Sequence, residues 1–224
     1  MKKVLVFVAH QDDETIGCGG TLSKFSNLGY DTTVVFVTDG ATGIDQTGNF
    51  SKNIVNRRSI EAKNACNVLG VNKIKEMKIP CQKVENNQEN FHRFIKIIRD
   101  IKPDIIITHS PNDKHRDHKA VAKIAIESSW KAQEDIHPEL GKKHRISMLW
   151  GCEITDLIVP DIYVDITGFF NKKIDALKSY NTQEDIIDGY NRFLDGISTV
   201  RGFESGVKRA EAFSDLTPFG RLMF

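Results

Sequence analysis

The sequence predicts an α/β fold: a Rossmann-like, mostly parallel sheet with helices on both faces and an active site at the carboxyl ends of strands one and four. Three observations predict it. Short apolar runs alternate with helical patterns from residue 1 to about residue 130, the signature of βαβ units and a parallel sheet. The run at 4–8 is aliphatic at four of five positions and the run at 104–109 centres on Ile105-Ile106-Ile107, as strands covered on both faces do. Polar segments rich in acids and histidine follow those two runs directly, at the strand ends where open parallel sheets bind ligands.

The first strand is expected at 4–8, where four of five residues are aliphatic. After His10-Gln11-Asp12-Asp13-Glu14 and the glycines at 17, 19 and 20, the stretch beginning at Thr21 reads as a helix that ends near Gly29. A second strand is expected at 33–38. Residues 41–53 are polar and lack an apolar period, and the length of this connection marks it as a candidate binding loop. A helix at 56–69 stops at Gly70, and a weaker third strand spans 73–79. Phe91, Phe94, Ile95, Ile98 and Ile101 recur at helical spacing, so 87–101 is an amphipathic helix ended by Pro103. The fourth strand at 104–109 leads to a charged loop at 113–117 and a helical pattern at 118–130. Beyond it, 145–153 and 161–166 are expected to add edge strands. Segments 169–180 and 183–193 read as helical, and 206–213 as a short helix.

The chain has 224 residues and is 40% hydrophobic. That is enough for a single domain over 1–224, with a Rossmann-like core at 1–130 and an extension of the same domain at 131–224. A net charge of +1 from 31 basic and 30 acidic residues argues against nucleic acid or a membrane surface as partner. The apolar segment after Met1-Lys2-Lys3 stops at His10, too early for a signal peptide. No run approaches a membrane span. A cytoplasmic protein is expected. Cys18, Cys66, Cys81 and Cys152 are scattered without a C-x-x-C pair, and buried free thiols suit that compartment.

The chemistry is expected where strands one and four end. Asp12, Asp13 and Glu14 repel one another unless a cation or a proton offsets their charge. His10 and Asp13 stand three apart, and His115 and His118 form an H-x-x-H on the other loop. Two imidazoles and a carboxylate around an open fourth position make a hydrolytic zinc site. The expected ligands are His10, Asp13 and His118; one of the two loop histidines can instead stand behind a ligand. Water in the open position has a pKa of roughly 7. Asp12 is the expected general base, since Glu14 is expected to begin the helix, and His115 is placed to polarise the scissile carbonyl and protonate the leaving amine.

These residues carry a family resemblance. Ala9-His10-Gln11-Asp12-Asp13-Glu14 resembles the A-H-P-D-D-E signature of the PIG-L/LmbE-like zinc-dependent de-N-acetylases. His115-Arg116-Asp117-His118 looks like that family's H-x-D-H, and Arg58-Ser59-Ile60-Glu61 its R-x-x-E. Tyr180-Asn181-Thr182-Gln183 and Ala210-Glu211-Ala212-Phe213 are similar to weaker late signatures. The resemblance implies zinc-dependent removal of an acyl group, usually acetyl, from an amino sugar. Members include deacetylases of mycothiol, bacillithiol and GlcNAc-phosphatidylinositol synthesis. It implies His10, Asp13 and His118 as metal ligands, Asp12 as base, His115 as transition-state stabiliser and Arg58 as a substrate contact. The family proline is Gln11 here. Its backbone is freer than proline's, and its amide is offered as a substrate contact.

Structural explanations compete at several positions. Arg58 and Glu61 are spaced for a surface ion pair. The glycines at 17–20 lack the full G-x-G-x-x-G spacing of a phosphate loop, so they are expected to serve close helix–sheet packing. His109 is expected in the core or behind the site, His92, His137 and His144 on the solvated surface, and Trp130 and Trp150 in packing. Substrate specificity is expected from 41–53, from 133–144 and from the C-terminal third. The partner is then a small N-acetylated amino sugar, and homo-oligomerisation is left open. The alternatives are a nucleotide-binding α/β protein using the glycines, and a metal-binding sugar sensor without turnover.

Overall fold

The structure, a computed structural model, describes residues 1–41, 52–154 and 156–218. The described residues form a seven-stranded sheet of order β3-β2-β1-β4-β5-β7-β6. Its strands are β1 (Lys3–Val8), β2 (Asp31–Thr38), β3 (Lys73–Ile79), β4 (Ile105–His109), β5 (Met148–Cys152), β6 (Ile162–Asp165) and β7 (Ala210–Asp215). β1 pairs in parallel with β2 and β4, and the parallel run extends to β3 and β5. β7 lies antiparallel to both β5 and β6. The chain turns outward in opposite directions from β1 and β4, so the crevice between their carboxyl ends is the topological switch point, where such sheets bind ligands.

Alternation along the strands divides the core. Val4, Val6 and Val8 of β1 face one layer and Leu5 and Phe7 the other, all without solvent exposure. The first layer contains α1 (Asp13–Asn27), α2 (Lys52–Leu69), α5 (Phe170–Leu177) and Leu194 of α6 (Glu184–Ser205). The second contains α3 (Gln88–Ile101) and α4 (Arg116–Lys131). α3 shows why a helix forms there: Asn87 caps it by accepting the Asn90 N–H at 3.0 Å, Phe94, Ile95 and Ile98 are fully buried, and Lys102 ends it at φ 56°.

α1 begins at Asp13, one residue before Glu14, and runs through the glycines with a break at Cys18 (φ −149°). The glycines serve packing. A Cβ on Gly17 would stand 2.6 Å from Ile154 Cδ1, and one on Gly20 2.8 Å from Ile166. The N–H groups of Gly20 and Thr21 donate to the Glu211 carboxylate at 2.9 and 2.7 Å. The donors that a nucleotide phosphate would use are therefore already occupied.

Three expectations for the C-terminal third are corrected. Residues 210–213, read as the end of a short helix at 206–213, belong to β7 (Ala210–Asp215). Ala and Glu favour helix intrinsically, but pairing between β5 and β6 buries Ala210, Ala212 and Phe213 and overrides that preference. α6 runs to Ser205, beyond the expected end at 193. Segment 133–144 is not near the site: His144 Nε2 donates to Pro103 O at 2.7 Å and Ser147 N to Asp104 O at 2.8 Å, which places it at the amino end of β4, opposite the ligand crevice. The surface histidines are half-buried, with the rings of His92 and His137 4.4 Å apart. Trp130 is 42% exposed instead of packed, with Lys131 Nζ 3.7 Å over its ring. Trp150 is buried as expected, and so are Cys18, Cys66, Cys81 and Cys152. The loop at 41–53 lies almost wholly outside the described residues. Among the described residues no helix is long and apolar enough to cross a membrane.

Arg99 holds segment 133–144. It is 2% exposed and donates to the carbonyls of Ala132, Glu134, Ile136, His137 and Gly141 at 2.7–3.1 Å. Arg99→Met is expected to cost about 2–3 kcal/mol by leaving buried carbonyls unpaired. This would be read as a lower urea midpoint with unchanged turnover per folded molecule. Unchanged stability would show that the carbonyls find other donors.

Candidate metal and catalytic site

The two loops expected to carry the chemistry meet at the β1–β4 crevice. His10 follows β1, Asp13 opens α1 and His118 lies in the first turn of α4. His10 Nδ1, Asp13 Oδ2 and His118 Nε2 form a triangle with every edge 3.3 Å. Donors bound at about 2.0–2.1 Å to a tetrahedral zinc stand roughly 3.3–3.4 Å apart, so the triangle fits one face of such a site. His10–His115–His118 and Asp13–His109–His118 are overlapping groupings of donor atoms around the same point.

The acids behind the triangle orient it. His10 Nε2 lies 3.1 Å from Asp117 Oδ2, leaving Nδ1 to face the centre. His118 Nδ1 lies 3.3 Å from Asp113 Oδ1, an ion-pair distance. Such carboxylate–imidazole pairs fix the orientation and basicity of ligating histidines. Electrostatics point the same way. Burial disfavours charge on His10 and His118, but Asp117 and Asp13 hold His10 well above the usual imidazole range, and Asp13 and Asp113 hold His118 up at about 9. Burial opposes ionisation of Asp13, but His118 and His109 keep it well below the usual carboxylate range. The cluster therefore draws positive charge into a buried place.

Asp12 stands beside this triangle with 17% of its side chain exposed. Burial pushes it up to about 6, while the Arg58 guanidinium pulls the other way. Its backbone adopts φ 130°, a left-handed value rare outside glycine. The Asp12 carbonyl accepts the N–H groups of Thr15 and Ile16, which starts α1. His115 caps α4: its Nδ1 accepts the Asp117 N–H at 3.2 Å, which leaves Nε2 as the protonated nitrogen of the neutral ring. That ring sits edge-on to His10 at 4.7 Å and against His118 at 4.4 Å. Burial and the charge of its histidine neighbours lower its pKa.

Arg58 is 4% exposed and donates to Gln11 O at 2.5 Å and Asp12 Oδ2 at 3.2 Å. Glu61, its expected surface partner, is buried and instead binds Thr182. Gln11 is 1% exposed, and its amide donates to Thr38 O at 3.3 Å beneath Gly40. Both side chains, expected as substrate contacts, are buried and bonded to neighbouring groups of the protein. His109 is fully buried, stacks on His118 at 4.0 Å, and accepts the Ala9 N–H on Nε2 at 2.8 Å, so it stands behind the site as expected.

Several site residues were given no role from the sequence. Asp117 was visible inside H-x-D-H, and Asp113 two residues before His115, but nothing in the spacing assigned them partners. Glu14 was expected only to begin the helix. It is fully buried and accepts from Thr15, Tyr180 and the Asp12 N–H, and burial pushes it up to about 7. Tyr190 of α6 is half-buried; burial pushes its phenol up to about 12, and the charges of Asp12, Asp13 and Asp113 add to the shift.

The profile of the family "PIG-L: GlcNAc-PI de-N-acetylase" matches residues 5–129. A diacetylchitobiose deacetylase of Thermococcus kodakarensis is 26% identical, over 100% of this chain and 89% of the relative. The crystal structure of an N,N'-diacetylchitobiose deacetylase from Pyrococcus horikoshii superposes with a TM-score of 0.86 at 27% identity, covering 99% of this chain and 89% of that one. A 4-carboxy-2-hydroxymuconate hydratase from Pseudomonas putida superposes with a TM-score of 0.88 at 23% identity, covering 100% and 99%. That likeness is one of fold alone, and the same framework can carry other chemistry. Over more than half its length the chain matches one family, and its relatives include deacetylases of N-acetylated sugars. The chain belongs to the GlcNAc-PI de-N-acetylase (PIG-L) family.

Proposed function

We propose that the protein is a metal-dependent hydrolase that removes an N-acyl group, an acetyl, from an amino sugar or N-acetylglucosamine conjugate. The observation that carries this reading is the 3.3 Å donor triangle of His10, Asp13 and His118 with an untethered edge of Asp12 beside it. The donor set of two imidazoles and one carboxylate suits Zn²⁺. A bound Zn²⁺ would acidify a water and polarise the substrate carbonyl.

The chain's own residues supply the proton handling. Asp12 takes a proton from the attacking water, with Arg58 holding its carboxylate ionised. His115, neutral with its proton on Nε2, donates to the developing oxyanion, and the proton taken up by Asp12 passes to the leaving amine as the C–N bond breaks. Asp117 and Asp113 keep the ligating imidazoles in register. The four cysteines are scattered and buried without a C-x-x-C pair, which suits a reducing compartment such as the cytoplasm. Nucleotide binding at the glycines is disfavoured, because Glu211 occupies the Gly20 and Thr21 N–H groups.

The test is acetate release from N,N'-diacetylchitobiose and simple N-acetylglucosamine conjugates by protein of measured metal content. Release is expected with about one zinc per chain, lost on chelation and regained on adding zinc. Binding of these sugars without acetate release by the zinc-loaded protein would favour a sensor. Full turnover after chelation would exclude the metal role.

A further inference from the structure

Segment 180–182 grips two carboxylates, Glu14 and Glu61, that lead to Asp12. Tyr180 is fully buried, and its hydroxyl donates to Glu14 Oε1 at 2.5 Å. Thr182 donates to Glu61 twice, from its N–H to Oε1 at 2.9 Å and from its hydroxyl to Oε2 at 2.6 Å. Glu14 turns its other oxygen, Oε2, to the Asp12 N–H at 3.1 Å. Glu61 lies three residues after Arg58 on α2, and Arg58 meets Asp12 Oδ2 at 3.2 Å and Gln11 O at 2.5 Å.

Asp12 is the residue that needs such support. A non-glycine residue at φ 130° persists only where its surroundings over-determine it. The Tyr180 and Thr15 hydroxyls together saturate Glu14 Oε1, so the carboxylate cannot rotate away from the Asp12 amide. The Glu61–Thr182 bonds fix the turn of α2 that carries Arg58. One arm of the segment thus acts on the Asp12 backbone and the other on its carboxylate.

We propose that segment 180–182 is a positioning bracket for Asp12: Tyr180 acts through Glu14 and Thr182 through Glu61 and Arg58. Its catalytic consequence rests on the proposed role of Asp12 as base. Tyr180, Thr182, Glu14 and Glu61 are positioning residues and do not touch substrate.

The test uses zinc-loaded full-length protein with Tyr180→Phe, Thr182→Val and Glu14→Gln, read by kcat, KM, zinc content and exchange of the Asp12 amide hydrogen. Tyr180→Phe keeps the buried ring and removes the donor. It is expected to lower kcat by about tenfold with KM within about twofold. Zinc content should be unchanged, and Asp12 amide exchange should be about tenfold faster while the rest of α1 is unaffected. Tyr180→Phe and Glu14→Gln lie on one arm, so their losses should not multiply. Tyr180→Phe and Thr182→Val lie on different arms, and theirs should. Unchanged Asp12 exchange in Tyr180→Phe overturns the bracket, and so does loss of activity that only tracks loss of zinc or of folded protein. If the wild-type protein releases no acetate from any substrate, the base assignment fails, but the exchange measurement still decides whether the bracket exists.

Discussion

Asp12→Asn is expected to lower kcat by about 10²–10⁴-fold while zinc binding persists, because it removes the proton acceptor and leaves His10, Asp13 and His118 in place. Asn is a better probe than Ala: it tolerates the left-handed backbone that φ 130° requires and keeps an oxygen for Arg58. Its loss therefore reports the proton and not the fold. The pH profile gives an independent reading. Burial pushes Asp12 up to about 6, Arg58 lowers it, and a bound cation would lower it further. A base must be ionised to act, so activity should fall with decreasing pH on a limb at or below about pH 6. Arg58→Ala removes the opposing charge and should move that limb upward. A variant Asp12→Asn with wild-type turnover and full zinc would remove Asp12 from the mechanism, and a limb indifferent to Arg58→Ala would remove Arg58 from its control.

What the sequence made legible divides along physical lines. β1 and β4 were readable because parallel strands buried on both faces are apolar at nearly every position, and their positions bring His10 and His118 together across about a hundred residues. β7 was not readable. Ala210, Glu211 and Ala212 carry no strand preference of their own, and only pairing between β5 and β6 decides their conformation. Segment 133–144 was expected to contribute to substrate specificity, but a loop's end of the sheet follows from the direction of the helix before it. α4 runs away from the ligand crevice, and Arg99 pins the loop at the far side. Arg58 and Glu61 show a limit of spacing arguments. Residues three apart on a helix were expected to pair with each other, whereas burial gives each a partner from another part of the chain, Asp12 and Thr182. The orienting roles of Asp113 and Asp117 were hidden for the same reason, since a partner's identity is a property of the assembled crevice.

A buried ion pair within the C-terminal third grips the backbone of α1, and Glu211→Ala is expected to cost about 3–5 kcal/mol. Lys173 and Glu211 have side chains only 3% and 5% exposed and meet at 2.6 Å. Glu211 also accepts the Gly20 and Thr21 N–H groups just past the break in α1, and Lys173 donates to Ile16 O at 2.8 Å just before it. Removing the carboxylate leaves an ammonium group and two amides buried without their acceptor, which is far costlier than an exposed pair would be. The double replacement Lys173→Met with Glu211→Leu removes both charges and should cost clearly less than Glu211→Ala plus Lys173→Met taken separately. The same variant tests the expectation that residues 1–224 form one domain. Val4, Leu22, Ile166, Tyr180 and Phe213 share one buried cluster, so a chain that unfolds as a unit should show a single transition lowered by about 10 °C. Two transitions, with only one shifted by Glu211→Ala, would mean that the extension folds apart from the core; the support that segment 180–182 lends to Asp12 would then be lost before the donor triangle is.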